Sequence, residues 1–268
     1  MAIADSLGID AYKPAQIALR VEEAGVAKAK LGTVQLTVLG ILAGAFIGFG
    51  AMLFTLVMTD HGLGFGPARL LGGSVFALGL ILVVIAGAEL FTGNNLIVMA
   101  RIDGKVSTAD LVRNWVVVFL ANFAGAFAAA ILMALSGTLA MNGGAVMETA
   151  AAIARGKVAL SMDEAFFRAI LCNALVCLAV WLSFAARDVA GKILAIVPPV
   201  AAFVALGFEH SIANIYFIGL ALVTGVEGVG VGGFLANLAV VTVGNVIGGG
   251  GLVGLAYWFC YRLGAKEG

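Results

Sequence analysis

Charge is scarce in this sequence. Only 11% of its 268 residues are Asp, Glu, Lys or Arg, against roughly 25% in soluble proteins, so the chain lacks the groups that would cover a water-facing surface. Cysteine occurs three times and histidine twice. Cys172, Cys177 and Cys260 are an odd number without metal-ligand spacing, and each falls inside an apolar run. They read as small buried hydrophobes, with neither a disulfide framework nor a metal site implied. The formal net charge is zero, which gives no basic footprint for nucleic acid. The Gly-rich stretches have no accompanying strand or Walker lysine, so they are packing signals rather than phosphate loops, and no cofactor is expected. The first thirty residues mix acidic and basic side chains without an apolar core, so no cleaved leader is expected.

What the chain has instead is apolar length, 62% of it hydrophobic. Apolar runs near 34–58, 68–100, 115–135, 165–186, 190–224 and 233–261 each reach the roughly 20 residues that span a bilayer. Six membrane crossings are expected. Ahead of them, Pro14 opens a helix to about Lys30 with Ile17, Val21 and Ala24 along one side, suited to lie on the membrane surface. The expected organisation is an N-terminal amphipathic segment over 1–32, a six-span body over 33–263 and a short tail over 264–268. Eleven of the fifteen Lys and Arg residues then fall on the amino-terminal side of the membrane, and the positive-inside rule makes that side cytoplasmic, with both termini inside.

The second and fifth runs are too long for one uninterrupted helix, and each has a polar interruption in its middle, AELFTGNN from Ala88 and FEHSIAN from Phe208. Each interruption sets Glu five residues before Asn: Glu89 and Asn94 in one, Glu209 and Asn214 in the other. Asn122 and Gly125 in the third run answer to Asn245 and Gly248 in the sixth, with offsets of 120 and 123 residues between the halves. These are internal repeats, about 33–145 and 146–263 within the body. Three spans per repeat is odd, so the halves are inverted relative to one another, as in transporters whose broken helices meet at the midplane.

The polar residues at those breaks are the candidates for chemistry. His210 is the histidine expected inside a span, and an ionisable ring at that depth usually marks a pathway, although a backbone carbonyl could satisfy it. Glu89 and Glu209, with Asn94 and Asn214, are expected to brace the breaks, the carboxylates accepting hydrogen bonds from freed backbone amides. Thr92 and Gly93 form either a gating loop or a packing kink. Asn122, Asn173 and Asn245 have an ordinary reading as interhelical hydrogen-bonding groups. Half-helix N-termini at the breaks favour an anion through their dipoles and free amides. His61, in a loop, carries no expected role.

Four segments, AGAELFTGNN, LVCLAVW from Leu175, FVALGFEHSIAN and VTVGNVIGGG, resemble the formate/nitrite transporter family from about Thr33 to Leu263. The resemblance implies an all-α transmembrane fold, an aquaporin-like six-helix bundle of two inverted three-helix repeats with broken helices in spans two and five. It further implies a homopentamer in a bacterial cytoplasmic (inner) membrane, with a pore in each protomer. It assigns the central histidine to His210, a mobile loop to Leu90, Phe91 and Thr92, and hydrophobic constrictions to Phe76, Leu80, Leu90, Phe91, Val176 and Phe203. Pore-lining amides fall on Asn173 and Asn245, and a vestibule cation on Lys157. Gly93 stands where many members carry Ser. The expected function is a channel for a small monovalent anion, formate ahead of nitrite and hydrosulfide, with protons as a possible second partner in permeation. A neutral-solute channel is less favoured because no arginine falls in the core of a span. An enzyme is not expected, because His210 has no GxSxG or HExxH companion.

Overall fold

The computed structural model describes residues 10–264. The start of the N-terminal segment and all but Gly264 of the expected tail lie outside the described residues. Among the described residues there are helices and turns and no strand. The first half consists of α1 (Pro14–Ala29), α2 (Thr33–Met58), α3 (Phe65–Gly87), α4 (residues 91–102) and α5 (Thr108–Leu135). The second repeats that order as α6 (Ala145–Val158), α7 (Met162–Ala185), α8 (Val189–Ala205), α9 (Ser211–Val223) and α10 (Val231–Tyr261). Among the described residues, α2, α3, α5, α7 and α10 are each long and apolar enough to cross a membrane. The remaining overlong run is divided into the shorter apolar helices α8 and α9. α2, with 26 residues, is about 39 Å long at 1.5 Å per residue, more than the roughly 30 Å hydrocarbon core. Helix α6 was not foreseen; it is the counterpart of α1, and each precedes the first span of its half.

Both breaks have the same local cause. Gly87 and Gly207 adopt φ of +86° and +73°, the left-handed region that stops an α-helix at low cost only for glycine. The residue after each donates its N–H back to the carbonyl five positions earlier, Ala88 to Val83 at 2.9 Å and Phe208 to Phe203 at 3.0 Å. The chain then runs extended through Glu89 or Glu209 before a new helix starts at Phe91 or Ser211. Of the two new helices, α9 is apolar all round and buried from Ser211 to Ala221, the pattern of a helix at the centre of a bundle. Tyr216, Ile215 and Ile218 are among the largest fully buried side chains.

Around this centre the spans pack closely. A Cβ on Gly125 of α5 would collide with the Ile41 carbonyl of α2, and one on Gly248 of α10 would collide with the Ile170 carbonyl of α7, so small residues let these backbones touch. Leu120, Leu132, Leu135 and Phe259 face outward and exposed, where lipid or a neighbouring subunit would cover them. Cys260, expected to be buried, is exposed, with no side chain of the described residues covering it in the last turn of α10.

At the amino-terminal end, a charged cluster joins α1 to the rest. The fully buried Glu22 accepts from Arg262 Nε at 2.7 Å and pairs with Lys105. Asp103 accepts from Trp258 Nε1 at 3.0 Å and from Arg262 Nη2 at 3.3 Å. The hydrogen bond to Glu22 raises the Lys105 pKa above its ordinary value. A buried carboxylate is tolerable here because two cations and a close geometry compensate its lost hydration.

Gly125→Val is expected to destabilise the protomer by about 3 kcal/mol through overpacking, measured as thermal unfolding in detergent. Gly66→Ala, a site with nothing within 4 Å, serves as the reference. Equal melting of the two variants would disprove the close-contact argument.

Candidate functional site

A helix broken inside a bilayer leaves N–H and C=O groups that water cannot satisfy, each costing several kcal/mol if left unpaired. Two asparagines solve this in the same way. Asn122 Oδ1 accepts from Phe91 N at 2.8 Å, while its Nδ2 donates to Glu89 O at 2.8 Å and Gly40 O at 2.7 Å. Asn245 Oδ1 accepts from Ser211 N at 2.9 Å, and its Nδ2 donates to Glu209 O at 3.0 Å and Ala169 O at 2.8 Å. A carboxamide suits the task because it carries an acceptor and two donors side by side. One expectation is thereby corrected: the freed amides of Phe91 and Ser211 go to asparagine rather than to the glutamates.

The glutamates instead organise a second network, again in duplicate. Glu89 accepts from Asn94 Nδ2 at 2.8 Å and from Lys28 Nζ at 2.6 Å; Asn94 also donates to Asn114 Oδ1 at 2.9 Å, and Asn114 donates to Lys28 O at 3.1 Å. In the other half Glu209 accepts from Asn214 Nδ2 at 2.6 Å and from Lys157 Nζ at 2.9 Å. Asn214 also donates to Asn237 Oδ1 at 2.8 Å, and Asn237 donates to Lys157 O at 3.1 Å. Lys28, Asn114 and Asn237 were missed in the sequence, although offsets of 129 and 123 residues pair Lys28 with Lys157 and Asn114 with Asn237. The repeat was detectable; the roles were not.

Each lysine stands at the mouth of a cavity. One, of about 250 Å³, is lined by Lys157, Glu209, Arg69, Arg168, Phe76 and Phe203 among others. The opposite one, of about 500 Å³, is lined by Lys28, Glu89, Lys192, Leu80 and Leu90 among others. Between them lies a chamber of about 10 Å³ walled by Phe76, Leu80, Leu90, Val176, Phe203 and His210, with Ile47 and Val200. That is about the space of one water molecule. Phe76 and Phe203 meet edge to face at 5.9 Å on one side of it, and Leu80 and Leu90 close the other.

His210 is 3% exposed, with its ring stacked at 6.0 Å on Phe203. Nδ1 accepts from Ala213 N at 3.1 Å, which in the neutral ring leaves the proton on Nε2. Nε2 then donates to Thr92 Oγ1 at 3.0 Å, and the Thr92 hydroxyl proton remains available. The loop beneath Thr92 is held from behind: Thr92 O accepts from Asn173 Nδ2 at 3.2 Å and from Cys177 Sγ at 3.3 Å.

Other expected residues lie elsewhere. Asn173 and Asn245 are fully buried and line none of these three cavities; Asn173 also donates to Asn95 Oδ1 at 2.7 Å and to Asn245 O at 2.6 Å. The Asn245 amide is consumed in holding backbone, whereas Asn173 holds two backbone carbonyls and the Asn95 side chain through Nδ2 and leaves its buried Oδ1 without a hydrogen-bond partner among the described residues. Phe91 turns away from the path, its ring against Phe119 at 5.1 Å and Trp115 at 6.4 Å, because it opens α4 on the side facing α5. His61 Nδ1 accepts from Leu63 N at 3.1 Å within its loop.

Two mirrored half-bundles, wet charged mouths at both ends and a dry polar pair between them define a transmembrane channel or transporter. Residues 15–259 match the formate/nitrite transporter family, and the chain belongs to it. It is 41% identical to the formate channel FocA of Escherichia coli strain K12, over 94% of this chain and 95% of that protein. It is 44% identical to the uncharacterised transporter YrhG of Bacillus subtilis, over 93% and 94%. Among solved structures it resembles a pentameric formate channel with formate bound, with a TM-score of 0.78 and 38% identity over 85% of this chain and 97% of that one. It also resembles an FNT family ion channel, with a TM-score of 0.84 and 28% identity over 91% and 98%.

Asn245→Ala is expected to destabilise the fold by about 2 kcal/mol, above the ~0.6 kcal/mol average for interhelical bonds in membranes, because the groups it abandons are backbone at a helix break. Asn122→Ala should cost the same amount. Denaturant titration in micelles checks both, and a loss below about 0.5 kcal/mol for either would mean that something else satisfies the break.

Proposed function

We propose that the chain conducts a small monovalent anion across a bacterial cytoplasmic membrane, formate ahead of nitrite and hydrosulfide, through a pore in each subunit of a homopentamer. The observation that carries this reading is a lysine at each of two cavities that converge on one chamber of about 10 Å³ lined by His210, whose ring bonds the buried Thr92. The pentameric relative supports the assembly, and the placement of most basic residues on the amino-terminal side supports cytoplasmic termini.

Each lysine is only part-exposed, 32% for the Lys28 side chain and 14% for Lys157. Each is also matched by a glutamate, so the mouth attracts an anion without binding it as a bare ammonium would. Beyond the mouth, the Phe76 and Phe203 slit and the Leu80 and Leu90 slit offer no compensation. A full charge at hydrocarbon depth costs roughly 3 kcal/mol at the lowest measure and more than 10 by others. The neutral acid passes such a slit far more readily. Permeation is therefore linked to a proton, with His210 as its donor. That role has a structural condition: the ring must be protonated on both nitrogens, which requires Nδ1 to release the Ala213 N–H. Lys157, Glu209, Arg69 and Arg168 are the charged groups that line the same cavity as His210.

His210→Phe, which removes both ring nitrogens, is expected to bring the ratio of formate fluxes at acidic and at neutral pH down to near one. The check is radiolabelled flux into proteoliposomes, with the oligomer verified by size. A ratio unchanged from wild type would overturn the donor role, and larger fluxes of nitrite or hydrosulfide in the same assay would reassign the cargo.

A further inference from the structure

The two mouths are built on one plan but do not carry the same charge. Glu209 N donates to Arg168 O at 3.4 Å where Glu89 N donates to Leu39 O at 3.2 Å, so Arg168 occupies in one half the place that Leu39 holds in the other. Their neighbours agree: Ala169 O and Gly40 O accept the equivalent asparagine bonds, and Lys157 and Lys28 are separated by the same 129 residues. Arg168 lines the cavity at Lys157 and Leu39 lines the cavity at Lys28.

The count of formal charge follows. Lys157, Arg69 and Arg168 face one carboxylate, Glu209, around about 250 Å³. Lys28 and Lys192 face Glu89 around about 500 Å³. One mouth thus carries twice the net positive charge in half the space. Its three cations are not equally available. Lys157 is paired to Glu209, and Arg69 donates Nε to Ala205 O at 3.0 Å and Nη2 to Val204 O at 2.7 Å. Arg168 has only long contacts, from Nη1 to Gly207 O at 3.5 Å and from Nη2 to Glu164 Oε1 at 4.0 Å, with its side chain 40% exposed. Glu164 is a weak competitor, since its carboxylate accepts from Ser161 N at 3.0 Å and Ser161 Oγ at 3.2 Å, and exposed ion pairs contribute little.

We propose that Arg168 is the anion-capturing residue of the Lys157 mouth and makes that face saturate at lower anion concentration than the Lys28 face. This rests on the anion-channel reading above. A guanidinium suits the task because it presents planar paired donors to a carboxylate and stays charged at any working pH. Two faces that saturate differently do not violate equilibrium in a passive pore, because affinity on each side can differ while net flux still follows the gradient.

The test uses the full chain in right-side-out and in inverted membrane vesicles, with radiolabelled formate and the background of non-expressing vesicles subtracted. Arg168→Leu, which copies the other half, should raise the half-saturating formate concentration about fivefold in one vesicle type and leave the other type unshifted, a change of the size one partly screened charge supplies. The wild-type value on the Lys157 face should rise as salt increases from about 0.02 M to about 0.3 M, where the screening length falls from about 20 Å to about 6 Å, and Arg168→Leu should flatten that rise. Arg168→Lys should retain most of the affinity, and Leu39→Arg should lower half-saturation in the opposite vesicle type. Equal half-saturation at both wild-type faces, or an Arg168→Leu shift that is absent or the same in both vesicle types, overturns the proposal while leaving the channel reading intact. Absence of formate flux in wild type overturns that reading and this one with it.

Discussion

A backbone interrupted in the middle of a membrane has to find hydrogen-bond partners within the protein, and everything that distinguishes this structure follows from meeting that requirement twice. Asn122 and Asn245 each bridge the last extended carbonyl before a new half-helix, the first amide of that half-helix and a carbonyl of the adjoining span. Neither could be replaced by a shorter hydroxyl or by a carboxylate, which would supply too few donors. With the backbone satisfied by side chains set back from the path, the wall of the path itself can be apolar. The dry slits are therefore a consequence of where the asparagines stand.

The glutamates extend the same logic outward. A carboxylate at the edge of the break is stable because it holds a lysine and an asparagine together, and that lysine is thereby fixed at the mouth of a cavity. On the proposed reading, charge concentrated at two mouths and excluded from the chamber between them gives a profile that gathers anions and then refuses them in charged form. His210, the polar side chain in the chamber wall and hydrogen-bonded to the buried Thr92, is on the proposed reading the point at which such a profile is relieved.

Much of this was legible in the sequence because membranes impose length and polarity rules that local composition obeys. Overlong apolar runs with a central Glu and Asn marked the breaks, and the matched Asn122 and Asn245 marked the inversion. Less visible was the stop signal, since Gly87 and Gly207 are two glycines among 37. Lys28 was hidden for another reason: it sits in a segment whose charge pattern reads as a water-facing helix end, and its partner Glu89 is 61 residues away. For Phe91, Asn173 and Asn245 the family resemblance placed the residues on the path, whereas the turn of the half-helix points Phe91 toward α5 and the two amides make the interhelical hydrogen bonds that their residue type alone suggested.

Where the halves depart from each other, the departure is confined to positions the brace does not need. The offset of 120 residues sets His210 opposite Leu90, and both line the central chamber. Leu90 keeps its slit apolar; His210 caps its own half-helix through Ala213 N and reaches Thr92 across the break. An inverted repeat that kept both positions identical would have either two imidazoles in one dry chamber or none. Two would face each other across a space of about 10 Å³, so charging one would oppose charging the other. None would leave the midpoint with no group able to hand over a proton. On the proposed proton-linked reading, one imidazole and one leucine is the arrangement in which a proton is offered at the narrowest point while the opposite slit stays apolar.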